Sequence, residues 1–398
     1  MTREFAPDST IGAAHRVRMV ERVADVSARD WNRLAGSAQP FLRHEFLAAL
    51  EESGCVAPEC GWAPRHLIVE DARGSAVGAM PLYLKSHSRG EFVFDFAWAN
   101  AYHEHGLRYY PKLVAAVPFT PANGARLLTA PAGDTAAVRA ALIGAATQYM
   151  QNERLSSWHA LFPLHEELET LERAGLIRRL DCQFHWHNRG YASFDEFLAS
   201  FTAEKRKKAK RERRRVAEAG IRFETLYGEE VGDPLWERLY EFYADTFHRH
   251  GHEPYLNLEF FRRVAAALPH TLMLKVARLG VEPIAVAMFF VGADVLYGRY
   301  WGADRHVDSL HFETCYYQGI DYCIEHGLAR FEPGTQGEHK VPRGFVPVPT
   351  GSAHRIADPR FEAAIRDFAA REARSVRGYI AAVDEHVPYR RQAEELRI

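Results

Sequence analysis

Trp31-Asn32-Arg33-Leu34 is followed by Phe41-Leu42-Arg43-His44-Glu45-Phe46, then by Ala72-Arg73 and Ala79-Met80. About two hundred residues later the same landmarks return in the same order. They read Trp236-Glu237-Arg238-Leu239, Tyr255-Leu256-Asn257-Leu258-Glu259-Phe260, Ala277-Arg278 and Ala287-Met288. No single match carries weight. Their shared order predicts a tandem duplication, and 398 residues suit two domains. The boundary is expected near residues 180–192, giving an N-terminal domain over 1–185 and a C-terminal domain over 186–398.

The local patterns alternate within each half. In the first, strands are expected at 17–24, 66–70, 76–84, 92–98, 158–162 and 180–186. Helices are expected at 28–34, 41–51, 136–152 and 165–174. Asp134 or Thr135 is the candidate N-cap of the Ala-rich third helix. The second half adds a long helix over 194–219 and repeats the plan. Two helices follow, then strands at 271–277, 284–291 and 295–300, a helix over 310–325, a strand from Arg330 and a terminal helix near 361–383. This order describes an α/β (α+β) protein with mixed sheets flanked by helices.

Composition excludes several classes. Hydrophobic residues make up 47% and charged residues 26%, which is ordinary for a globular chain and wrong for a disordered or collagenous one. The longest apolar run, Ile284 to Val291, stops at Gly292 and Asp294, far short of the ~20 residues that span a bilayer. The N-terminus is polar and lacks an apolar signal core, so a cytoplasmic location without a transmembrane segment is expected. Five cysteines, an odd count, suit that compartment. No HExxH or Cys/His ligand spacing occurs. His103/His105 and His185/His187 offer only two ligands each, and no metal is expected.

The chain resembles the FemAB-like family of peptidoglycan biosynthesis/recognition proteins within the GNAT acyltransferase superfamily. The residues that carry this are Tyr109-Tyr110-Pro111-Lys112; Val117-Pro118-Phe119-Thr120-Pro121 with Gly124 and Arg126; and Gly190-Tyr191-Ala192-Ser193-Phe194. Further on come Tyr297-Gly298-Arg299-Tyr300-Trp301-Gly302, Leu310-His311-Phe312-Glu313, Cys315-Tyr316-Tyr317-Gln318-Gly319, and Gln336-Gly337-Glu338-His339-Lys340 with Arg343-Gly344-Phe345. The resemblance implies tandem GNAT-like domains and N-acyl transfer. A Fem-type ligase takes an aminoacyl group from aminoacyl-tRNA; an ordinary GNAT enzyme takes an acyl group from acyl-CoA.

The usual CoA pyrophosphate loop, Q/R-x-x-G-x-G/A entering a helix, is missing. Its expected place in the second half reads Gly302-Ala303-Asp304-Arg305-His306-Val307-Asp308-Ser309, where Asp304 and Asp308 would repel phosphate. The first half offers Pro131-Ala132-Gly133-Asp134-Thr135, which also departs. Tight CoA binding is therefore not expected, and no cofactor beyond the donor substrate is called for.

Residues 205–215 read KRKKAKRERRR: Lys205, Arg206, Lys207, Lys208, Lys210, Arg211, Arg213, Arg214 and Arg215 around a single acid. Like charges three and four apart on a helix repel, so a polyanion is expected to supply countercharge. Candidates are tRNA or an anionic membrane surface carrying a lipid-linked acceptor.

Two candidate bases stand out. Glu313 lies among aromatics, which would raise its pKa. His339 lies in a Gly- and Pro-rich segment, 332–345, and titrates near neutrality. The substrate-binding candidates are Gln336, Glu338, Lys340 and Arg343 from that segment; Arg299 and Trp301 on one face of their strand; Tyr317; and Lys112, Thr120 and Arg126 in the first half. The expected function is N-acyl transfer to a small or lipid-linked amine, with aminoacyl-tRNA as donor. The alternatives are an acyl-CoA-dependent N-acyltransferase, or a non-catalytic binder of cell-wall precursor or nucleic acid.

Overall fold

The computed structural model describes residues 3–5, 15–131, 133–335 and 337–390. The chain forms two compact units. The first comprises Met1–Asp181, Tyr255–Arg263 and Thr350–Val376; the second comprises Cys182–Pro254, Val264–Pro349 and Arg377–Ile398. Two segments that the sequence places in the C-terminal half, 255–263 and 350–376, thus fall in the first unit.

The first unit holds an antiparallel sheet ordered Arg3–Phe5, Arg16–Val20, His66–Glu70, Ala76–Met80, Leu128–Thr129. A second run of strands is ordered Trp62–Pro64, Leu82–Lys85, Lys112–Ala115, Ser157–Leu161 and the end of Val346–Ile356. Its Lys112–Ala115 and Ser157–Leu161 members are parallel. The helix Thr135–Asn152 buries Val138, Leu142, Ala146 and Tyr149 against these strands, at the spacings an amphipathic helix requires. Its N-cap is Asp134, whose carboxylate accepts from the Ala137 backbone at 3.0 Å.

In the second unit, Ile221–Tyr227, Leu272–Leu279, Glu282–Val291 and Val295–Ala303 run antiparallel. Arg330–Glu332 then joins parallel to Val295–Tyr297, and the end of Ile177–His187 pairs with Arg330–Phe331. The helices Asp233–Arg249 and Leu258–Ala267 come between the first two of these strands in sequence. Strand, two helices, three antiparallel strands, helix and parallel strand is the order the resemblance implies, and the class is mixed α/β as expected.

Several local expectations fail for identifiable reasons. The aromatic run at 92–98 is not a strand: the chain turns there and enters the helix Phe96–Glu104, leaving Phe94 and Phe96 about half exposed. That turn delivers Glu91 and Asp95 to a buried charge cluster around Lys112, which outweighs the strand propensity of the aromatics. The single strand expected at 76–84 breaks at Pro81, which has no amide hydrogen to continue the ladder. The long helix expected over 194–219 is two, Phe194–Ala199 and Ala203–Glu218, because Phe201 leaves the helical path to pack on Phe197 and Tyr389. The strands Ile221–Tyr227 and Val346–Ile356 had no counterpart in the sequence reading.

Candidate active site

The site builds on a change of helical pitch. The expected helix over 310–325 begins at Leu310, widens into a π-helical turn over Glu313–Tyr317, and continues as Gln318–Glu325. Such turns insert one residue and swing side chains off the regular helical stripe. Opposite, the ladder between Glu282–Val291 and Val295–Ala303 slips, so that Met288 faces Tyr300 while Phe289 faces Gly298. The bulged residue is Arg299. A bulge breaks the two-residue alternation, so consecutive Arg299, Tyr300 and Trp301 all reach one cavity rather than opposite faces. That cavity holds about 140 Å³ and is also lined by His311, Cys315, Tyr316 and Pro333.

The Glu338–Arg343 turn supplies the remaining groups. It is bracketed by Gly337 (φ 107°) and Gly344 (φ 98°), both in the region that favours glycine. A Cβ at Gly337 would sit 2.0 Å from the His339 ring, so glycine is also what leaves room for that imidazole. His339 Nε2 lies 2.7 Å from the Tyr316 hydroxyl. Although His339 is partly exposed, desolvation of its inner side lowers its pKa, with Lys340 and Arg343 adding to the effect; this favours the neutral ring, whose Nε2 accepts from Tyr316 when the hydrogen sits on Nδ1. Burial also brings His311, whose ring is 6.0 Å from that of His339, down to about 4. Lys340 is buried and donates to the Gly334 carbonyl at 2.7 Å.

Desolvation lowers Lys340 from 10.5 to about 7. The unfolded chain therefore binds a proton that the folded chain releases between those values. Folding stability should rise with pH from about 7 to about 10.5 through this group. Lys340→Met should flatten that rise in denaturant titrations across the interval; an unchanged profile contradicts the assignment.

The other candidate base is placed differently. Glu313 is buried, accepts from Gln318 at 2.7 Å and pairs with Arg213 at 3.1 Å. Burial raises its pKa while Arg213 opposes, and Arg213 also pairs with Asp321 at 2.6 Å. The π-helical turn thus presents Tyr316, rather than Glu313, to His339.

Glu212, the one acid inside the basic run, is buried. It receives Arg343 at 2.8 and 3.1 Å and the Tyr317 hydroxyl at 2.7 Å. Arg343 in turn donates to the His339 carbonyl and stacks 3.3 Å above the Phe312 ring. Arg343 and Tyr317, read from sequence as substrate contacts, are therefore the buried frame that fixes the His339 turn. Glu338 is exposed and accepts from Tyr379 at 2.8 Å. Gln336 lies outside the described residues.

The first-half candidates are buried within their own unit. Lys112 is fully buried against Glu91 at 2.8 Å, Ser88 at 2.8 Å and Asp95. Arg126 is fully buried and donates to the carbonyls of Leu161, Ala122 and Ala125. Thr120 donates to Pro118. Their contacts are structural.

On the basic helix, Ala209, Glu212 and Val216 form the inward stripe. Lys207, Lys208, Lys210, Arg211, Arg214 and Arg215 are exposed; Lys205, Arg206 and Arg213 are half-buried. Acids elsewhere in the fold supply part of the countercharge, Asp195 to Lys210, Asp321 and Glu313 to Arg213 and Asp308 to Arg215, and Glu218 at the end of the same helix pairs with Arg214. Among the described residues there is no cluster of three or more metal-ligating side chains, and no helix is long and apolar enough to cross a membrane.

FemX superposes with a TM-score of 0.52 and 11% identity, covering 86% of this chain and 98% of its own. The C-terminal DUF2156 domain of a putative lysylphosphatidylglycerol synthetase from Agrobacterium fabrum superposes with a TM-score of 0.50 and 12% identity, covering 88% and 97%. A tandem GNAT protein from the clavulanic acid biosynthesis pathway gives a TM-score of 0.46 at 11% identity, covering 87% and 99%. No curated protein matches the chain. The model of one family matches residues 22–391. The chain belongs to that family, the FemAB-like proteins of peptidoglycan biosynthesis/recognition, and is an acyltransferase by class.

Proposed function

We propose that the chain transfers an aminoacyl group from aminoacyl-tRNA to the amine of a peptidoglycan-type acceptor, at the cavity beside Arg299. The observation that carries this is the 2.7 Å hydrogen bond between Tyr316 in the cavity wall and a neutral His339. The acceptor nitrogen attacks the ester carbonyl and a C–N bond forms. Its proton passes to the Tyr316 oxygen as the Tyr316 hydrogen passes to His339 Nε2. The ester C–O bond then breaks, and the proton returns by the same path to the leaving tRNA oxygen. Burial holds the Tyr316 phenol far above neutrality, so it relays a proton without resting as phenolate. Lys340, poised near 7, supplies positive charge to the developing oxyanion.

Two features support tRNA over acyl-CoA as donor. Both helix entrances where a pyrophosphate would be held carry aspartate: Asp134 already caps one, and Asp308 stands before the other, tied to Arg215. The exposed Lys207, Lys208 and Arg211 form a cationic surface suited to a phosphate backbone. Reversing these three to glutamate should flatten the salt dependence of tRNA binding by a slope of about 3, roughly one per lost phosphate contact. Identical slopes for variant and parent would remove tRNA from the proposal.

A further inference from the structure

The first unit contains a hydrogen-bonded chain that the proposed chemistry does not use. The antiparallel register sets His354 directly opposite His159, and Ser352 and Ser157 each lie two residues away on the same face. The result is a buried row: Ser352 Oγ to His354 Nε2 at 2.7 Å, His354 Nδ1 to His159 Nδ1 at 2.6 Å, and His159 Nε2 to Ser157 Oγ at 2.8 Å. Beside this row, the Tyr109 phenol donates to Asp95 at 2.6 Å. Asp95 is ion-paired to Lys112 and stays a carboxylate, its pKa lowered by Lys112 against the opposing effect of burial.

The partners at the Ser157 end set one direction for the row. Tyr109 spends its hydrogen on Asp95, and Ser156 spends its own on the Tyr109 carbonyl. The Ser156 oxygen can therefore only accept from Ser157, 3.2 Å away. With the Ser157 hydrogen given to Ser156, His159 Nε2–H donates to Ser157. Burial and the nearby Lys112 and Arg179 charges hold both imidazoles neutral, so each has one hydrogen. His159 Nδ1 then accepts from His354 Nδ1–H, and His354 Nε2 accepts from Ser352. The Ser352 hydroxyl points its hydrogen inward and turns lone pairs outward.

Outward lies a second cavity of about 200 Å³, lined by Ser352, Thr350, Arg179, Asp181, Glu372 and Phe94 among others. Thr350 is only 4% exposed, and its hydroxyl has no hydrogen-bond partner in the protein. Arg179 is matched by Glu372 through two bonds, at 2.7 and 2.8 Å. The wall thus carries one guanidinium against two carboxylates. We propose that this cavity is a second ligand site, selective for a small primary ammonium group held by the outward oxygens of Ser352 and Thr350. A donor-rich cation suits a wall of acceptors with net negative charge; a carboxylate would meet lone pairs and like charge.

The probes are ethylammonium, ethanol and acetate, titrated into the full chain and followed by ligand-observed NMR. Ethylammonium should bind at millimolar concentration, and acetate and ethanol at least tenfold more weakly. Thr350→Val keeps shape and removes a hydroxyl that makes no bond in the protein, so it should fold like the parent. It should weaken ethylammonium about tenfold, the loss of one hydrogen bond to a charged group. Ser352→Ala should weaken it similarly. Equal binding of acetate, no binding of ethylammonium, or unchanged affinity in a folded Thr350→Val would each overturn the site.

Discussion

Glu212→Ala should destabilise the protein by about 3–5 kcal/mol, the cost of breaking a buried ion pair by removing one partner. Glu212 lies on the inward stripe of the Ala203–Glu218 helix, and both partners of the pair are nearly inaccessible, at 4% and 8%. Removing the carboxylate strands the Arg343 charge in a low-dielectric site and leaves the Tyr317 hydroxyl without its acceptor. The His339 turn, fastened to Arg343 through its own carbonyl, should loosen at the same time. Arg211→Ala, next in sequence but exposed, should change stability by less than about 0.5 kcal/mol. Urea titration of both variants measures the contrast. A Glu212→Ala variant as stable as Arg211→Ala would mean that the acid belongs to the solvated face after all.

His339→Asn should lower turnover by about 10²–10⁴-fold, the usual contribution of a general base, with folding intact because His339 is exposed enough to tolerate the change. Tyr316→Phe, which breaks the relay between cavity and imidazole, should lower turnover to a similar degree. Because the His339 pKa lies below its ordinary value, the rate should hold at neutral pH and fall only as pH drops through that lowered value. Glu313→Gln separates the two candidate bases. It removes a charge from the Arg213, Asp321 and Gln318 cluster and should appear chiefly as lost stability. If Glu313→Gln abolishes turnover in a stable protein while His339→Asn keeps it, the assignments are reversed.

The repeated landmarks suggested two halves of similar order; the chain does form two compact units, but Tyr255–Arg263, which carries the second copy of one landmark, belongs to the first of them. Strong periodicity placed the helices Thr135–Asn152 and Pro359–Asp384 closely. What failed was governed by long-range partners. The aromatic run at 92–98 reads as a strand until Lys112 is seen to require Asp95 and Glu91. Lys112 and Arg126 were read as cleft-lining because they accompany a Pro-rich segment; their partners, 21 and 35 positions away, are invisible locally. Within the site, His339 and Lys340 were legible from chemistry in a glycine-bounded loop. Tyr316 and His311 entered only as neighbours of Glu313, because a regular helix does not reveal a π-helical turn. Glu212 was hidden by its basic neighbours, although Ala209, Glu212 and Val216 at helical spacing were a readable inward stripe.

The most direct test is the donor. The full chain is incubated with an amine acceptor and either charged tRNA or acyl-CoA, and the acceptor is examined by intact-mass analysis. The account predicts an acceptor heavier by one aminoacyl residue with charged tRNA, no mass gain with acyl-CoA, and loss of the product in His339→Asn. Acylation from acyl-CoA with none from charged tRNA would contradict it.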